Sequence, residues 1–98
     1  MVWAWLRSWR GGGGGRLRHW RVVMYTRRGC HLCERAWAQL EEARQSYGFA
    51  LSRADVDAEP ELVRQYGECV PVVTVNGRVR FRGVVNPVLL RRLLRAGE

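Results

Sequence analysis

The sequence predicts a single α/β domain with the element order β-α-β-α-β-β-α and a four-stranded mixed sheet, and three observations carry that prediction. Two short runs of strand-forming residues, Trp20-Arg21-Val22-Val23-Met24-Tyr25 and Val70-Pro71-Val72-Val73-Thr74-Val75, bracket a stretch with helical periodicity. Asn76-Gly77 follows the second run directly and is the strongest short signal for a β-hairpin. A Cys-x-x-Cys pair, Cys30 and Cys33, stands between the first strand and the first helix.

Taken in order, Met1 to Arg10 interleaves Trp3, Trp5 and Trp9 with arginine and leads into five glycines, Gly11 to Gly15. Polyglycine has the most backbone entropy to lose on ordering, so residues 1–19 are expected to be a flexible leader and residues 20–98 the folded domain. The leader reads as disordered, or as the product of a start codon placed too far upstream; contact with a membrane surface or a partner stays open. After the first strand, Thr26-Arg27-Arg28-Gly29 precedes the cysteines, and Leu32, Ala36, Leu40, Ala43 and Tyr47 then recur on one helical face that Gly48 closes.

Phe49 to Val56 suits a second strand, and Asp57-Ala58-Glu59-Pro60 marks the start of a helix that stops at Gly67. Val70 to Val75 is the third strand. Beyond the hairpin turn, Val79 and Phe81 alternate with Arg78, Arg80 and Arg82, which predicts one buried and one arginine-rich face. Asn86-Pro87 caps a last helix with Leu89, Leu90, Leu93 and Leu94 facing inward and Arg91, Arg92 and Arg95 outward. The first β-α-β unit requires a parallel pair, whereas the hairpin is antiparallel, so the sheet is mixed.

Composition narrows the function. All 17 basic residues are arginine, against 9 acids, for a net charge of +8. Five of those arginines fall in the first 21 residues, where no acid occurs, so the basicity belongs mainly to the leader. Such charge attracts polyanions without selecting among them, and no specific nucleic-acid partner is expected. No apolar run is long enough for a transmembrane segment, and Met1 to Leu6 lacks the length and cleavage site of a signal peptide. Three cysteines do not make a secreted disulfide scaffold, so a reducing, cytoplasmic location is expected, as is a monomer.

The chemistry lies in Cys30-His31-Leu32-Cys33. On the first turn of a helix, residues three apart are neighbours, so the two thiols are placed to close into a disulfide or open into a dithiol. The amine end of the helix favours a thiolate at the first sulfur. Cys30 is the candidate nucleophile and Cys33 the resolving thiol. A structural zinc needs four ligands, and only Cys69, His31 and His19 remain, so no metal is expected.

The element order, the CxxC after the first strand and the Val70-Pro71 dipeptide opening the third together resemble the glutaredoxin branch of the thioredoxin-like superfamily, over roughly residues 20 to 96. Tyr25 through Cys33, Val70 through Val73, and Gly83 with the Asn86-Pro87 helix are similar to small glutaredoxin-like proteins. The resemblance implies helices on both faces of the sheet, a cis Val70-Pro71 bond whose backbone pairs with substrate, and Arg27 as a cation for the thiolate and for glutathione. Here, however, Gly83-Val84-Val85-Asn86 lacks the paired glycines and acid that grip the amino end of glutathione.

The expectation is a thiol-disulfide oxidoreductase that reduces protein or mixed glutathione disulfides: Cys30 and Cys33 catalytic, Arg27, Val70 and Pro71 substrate-binding, His31 and Cys69 candidate modulators. Its partners would be disulfide-containing proteins and an electron donor of unknown identity. No bound cofactor is expected, and glutathione would be a weak co-substrate. A non-catalytic thioredoxin-like peptide-binding module and a redox sensor are the alternatives.

Overall fold

The computed structural model describes residues 15–97, and the Trp/Arg and polyglycine expectations up to residue 14 lie outside the described residues. Four strands and three helices follow in the expected order: β1 (Arg21–Thr26), α1 (His31–Tyr47), β2 (Ala50–Asp55), α2 (Pro60–Tyr66), β3 (Val72–Val75), β4 (Arg78–Arg82) and α3 (Pro87–Ala96). A 3₁₀ turn, Val56–Ala58, which the sequence did not announce, joins β2 to α2.

The strand order is β2-β1-β3-β4, with β1 parallel to β2 and antiparallel to β3, and β4 antiparallel to β3. β1 is therefore a central strand, and the cysteines follow its C-terminal end. Period-2 alternation divides the sheet's side chains between two faces. Val22, Met24, Leu51, Val73, Val75 and Phe81 join one core cluster with Ala36 and Leu40 of α1 and Leu90 and Leu94 of α3. The intervening residues Val23, Ser52, Ala54, Val72 and Thr74 are also buried. On that second face Tyr25 meets Tyr66 of α2, ring centroids 4.8 Å apart, so helices lie on both faces.

Three expectations about faces change. Leu32 is 46% exposed, and Cys33 takes its place in the buried stripe with Ala36 and Leu40. At about 100° per residue Leu32 stands some 80° from Leu40, whereas Cys33 is within about 20°. In α3, Leu90 and Leu94 are buried and Leu93 packs against the core, but Leu89 is 49% exposed. In β4, Val73 pairs with Phe81 and Thr74 with Val79, which leaves Arg80 as the extra residue of a bulge. Val79 and Arg80 are both half-buried, and strict alternation fails there.

The packed chain also begins upstream of the expected boundary. Leu17 is 4% exposed and Trp20 6%, both in the core cluster, and the Leu17 N–H donates to the Tyr47 carbonyl at 2.9 Å. Arg16 reaches across to the C-terminal carbonyls of α3, 2.7 Å from Leu94 O and 3.1 Å from Arg95 O. Gly48 ends α1 with φ of 82° and touches the backbone of Gly15, a left-handed conformation and a close approach that both require glycine.

Candidate functional site

β1 ends at Thr26, and the turn Arg27-Arg28-Gly29 delivers Cys30 to the N-cap of α1, where the Cys30 N–H donates to the Arg27 carbonyl at 3.3 Å. Cys30 has extended backbone angles, as an N-cap requires, and its Sγ accepts the Cys33 N–H at 3.1 Å. The two cysteines are joined as a disulfide with Cα atoms 5.2 Å apart. They are unequal: Cys33 is 2% exposed and belongs to the core cluster, while Cys30 is half-buried at its edge. The free amides of a 17-residue helix start here, so negative charge on the outer sulfur is favoured.

A cavity of about 320 Å³ opens beside the disulfide, lined among others by Thr26, Arg28, Glu34, Arg53 and Asp55. The Arg53 guanidinium lies over the Trp37 ring, 4.3 Å from its centroid. Sequence reasoning singled out neither Arg53 nor Asp55. Their signal is the register, since the parallel pairing sets Met24 opposite Arg53 and Thr26 opposite Asp55.

Arg27 lines the same cavity, but its three guanidinium nitrogens are already engaged. Nε and Nη2 donate to the Asp57 carboxylate at 2.9 to 3.2 Å, and Nη1 donates to the Gly67 carbonyl at 2.9 Å. The cation expected to serve the thiolate and an anionic substrate thus faces an acid of its own chain. It clasps the turn before Cys30 to both ends of the 3₁₀–α2 segment. Its hydrogen bond and charge hold the Asp57 carboxyl below the usual aspartate range, and Arg28 adds to this. Asp57 raises Arg27 in turn, first through the same hydrogen bond and then through its charge. Arg28, exposed on the cavity wall, has no ion pair among the described residues, and Arg53 meets only the Trp37 ring.

The Val70-Pro71 bond is cis, as expected. Val70 packs against the core cluster that holds Cys33 and that Cys30 also touches, which brings the dipeptide and the disulfide onto one core. The Gly83 N–H is shared between the Cys69 carbonyl at 2.9 Å and the Pro71 carbonyl at 2.8 Å, bracketing Val70. Among the described residues, nothing hydrogen-bonds to the Val70 backbone. Cys69 is a half-buried free thiol with Arg82 Nη1 3.8 Å from its sulfur. His31 is the exposed first residue of α1. Among the described residues no three His, Cys, Asp or Glu side chains converge as metal ligands, and no helix is long and apolar enough to cross a membrane.

Comparison with known proteins agrees with this geometry. Residues 21–95 match the family model described as Glutaredoxin-like domain (DUF836). An uncharacterized protein of Mycobacterium tuberculosis is 36% identical over 63 residues, 59% of this chain; the chain spans 65% of that relative's length. A protein of Nitrosomonas europaea, solved by NMR, superposes with a TM-score of 0.67 at 26% identity, over 76% of this chain and 89% of its own. Oxidised mitochondrial thioredoxin 3 of Saccharomyces cerevisiae shares the fold, with a TM-score of 0.59 at 18% identity, over 83% of this chain and 81% of its own. With the disulfide at the start of α1, the cis Val70-Pro71 and the β2-β1-β3-β4 sheet in place, the chain belongs to the glutaredoxin-like family of thioredoxin-like proteins.

Proposed function

We propose that this protein is a thiol-disulfide oxidoreductase that reduces disulfides in other proteins through Cys30 and Cys33. The observation that carries the reading is the asymmetric pair at a helix start, one sulfur at the edge of the core and the other buried within it. In the reduced form the Cys30 thiolate attacks one sulfur of the partner's disulfide. A mixed disulfide forms, and the partner's other sulfur leaves as a thiolate that takes a proton. Cys33, as thiolate, then attacks Cys30 Sγ, closing the intramolecular bond and expelling the second partner thiol. Two electrons pass to the partner, and a dithiol reductant must return two to Cys30-Cys33 before the next cycle.

The unengaged Val70 backbone supports an extended partner segment lying beside the disulfide. The same feature favours the second reading, a peptide-binding module, which predicts binding that survives loss of both thiols. Glutathione is expected to act only as a weak co-substrate, because Arg27 is committed to Asp57 and the segment Gly83-Val84-Val85-Asn86 holds no acid. The reducing interior of the cytoplasm is the compartment that suits a monomer with this chemistry.

The deciding experiment is reduction of a protein disulfide such as that of insulin, followed with Cys30→Ser and Cys33→Ser. Cys30→Ser is expected to abolish turnover, and Cys33→Ser to accumulate a mixed disulfide on Cys30. Turnover unaffected by Cys30→Ser rejects the proposal.

A further inference from the structure

Arg27 has the geometry of a carboxylate receptor that is already occupied. Nε and Nη2 form one edge of its guanidinium fork, the edge that takes a carboxylate side-on, and both donate to Asp57 at 2.9 to 3.2 Å. Nη1 is held separately by the Gly67 carbonyl at 2.9 Å, and a Cβ added at buried Gly67 would stand 3.3 Å from that nitrogen. The guanidinium thus keeps a packed anchor that does not depend on Asp57.

Asp57 is fixed by its own turn. Its N–H donates to Asp55 Oδ1 at 2.9 Å, and Val56, in the same 3₁₀ turn, is fully buried. The ion pair is nevertheless open to water, with the Arg27 and Asp57 side chains 37% and 44% exposed, so a carboxylate from outside has access to the same edge. Arg27 also lines the cavity beside Cys30 and Cys33. There Arg27, Arg28 and Arg53 meet Glu34 and Asp55, and Asp57 is the acid that brings the formal charges into balance.

We propose that Asp57 is a specificity-determining residue, a tethered carboxylate that holds the edge of Arg27 against the carboxylates of small anionic disulfides. This deepens the exchange reading above and rests on it. A disulfide with a carboxylate near its reactive sulfur gains little from Arg27, because the acid of the same chain is present at high effective concentration. Displacing Asp57 would also release the turn before Cys30 from the 3₁₀ turn, which adds to the disadvantage. A protein segment held along the Val70 backbone needs no such carboxylate and loses nothing.

The test uses the reduced full-length protein and one peptide in mixed disulfide linkage with either glutathione or its diethyl ester, whose carboxylates are masked. The ratio of the acid rate to the ester rate is read on each variant, so that changes in thiol reactivity or in the fraction folded cancel. Asp57→Ala is expected to raise this ratio about two- to fivefold, the strength of an exposed ion pair, and the isosteric Asp57→Asn to raise it in the same direction. The gain from Asp57→Ala should persist in an Arg28→Gln background and vanish in an Arg27→Gln background, two backgrounds of equal net charge. A ratio that neither Asp57 substitution raises overturns the proposal. So does a gain that survives Arg27→Gln, since it would come from net charge alone.

A ligand that does not react separates this from the exchange reading: S-methylglutathione titrated by NMR into the Cys30→Ser/Cys33→Ser protein with and without Asp57→Ala. Shifts of the Arg27 side-chain N–H signals only where Asp57 is replaced would keep the role of Asp57 even without exchange. Reduction of protein disulfides with flat ratios would keep the exchange reading and discard that role.

Discussion

Arg27 and Arg28 are adjacent, yet their surroundings give them different work. Arg27 grips Asp57 and Gly67, while Arg28 stands on the cavity wall beside Cys30. Reduced Cys30 is expected to ionise below the value of a free cysteine, about 8.5, and Cys33 is not, because Cys33 is buried. Alkylation rates against pH measure this, and Arg28→Gln should slow Cys30 at neutral pH by about two- to threefold. Equal reactivity of the two thiols would refute the division of roles. Asp57 carries a pH prediction of its own. Its carboxyl is lowered in the folded protein, so its contribution to stability is whole above the unfolded value of about 3.9 and is lost as pH falls through the lower folded value. Melting curves from pH 7 to pH 2 should show this loss in the wild type and lack it in Asp57→Asn. The cysteines were legible in the sequence because their relation spans one helical turn. The Arg27–Asp57 pair was not, because 30 residues separate its members and only strand register joins them.

At the scale of elements, hydrophobic periodicity identified the three helices and four strands but overcounted their buried faces. In α3 four leucines read as one inward stripe, whereas the helix seats Leu90 and Leu94 fully and leaves Leu89 on the surface. Leu90→Ala should therefore cost about 2–4 kcal/mol and Leu89→Ala well under about 1 kcal/mol, as measured by denaturant unfolding. Comparable losses at both positions would restore the broader stripe. The bulge in β4 and the 3₁₀ turn escaped sequence reading for a shared reason. Each inserts a residue or a tightened turn whose cause is the neighbouring strand or helix, not the local pattern. Gly48 was legible as a C-cap, but its contact with Gly15 was not. Gly48→Ala is expected to cost about 1–2 kcal/mol from the left-handed backbone alone, with the overlap against Gly15 added to it.

For the whole molecule, the fold class was legible because element order, hairpin and cysteine position agree with one another, whereas the pairing of β1 with β3 that sets the sheet order is seen only in the structure. The start of the packed chain was not, because Leu17 lies in a run of arginine and histidine where no periodicity marks it as core. The family match begins at residue 21, after two buried side chains have already entered the interior. A chain starting at Arg21 should thus be less stable than one starting at Gly15 by several kcal/mol, about 2–5 for each of Leu17 and Trp20. Thermal melting of the two compares them directly, and equal melting temperatures would show that this segment adds no stability. The reach of Arg16 to the last turn of α3 has a further consequence for connectivity. A side chain added at Gly97 would meet Arg16 Nη1 at 2.9 Å, so the first and last described segments are neighbours in space. Joining them through a short linker and opening the chain between Asn76 and Gly77, on the exposed hairpin, would leave every element and the Asn76 bond to Arg21 in place. Such a circular permutant is expected to fold and to close the Cys30-Cys33 disulfide, with its old termini buried in mid-chain and β4 as its first strand.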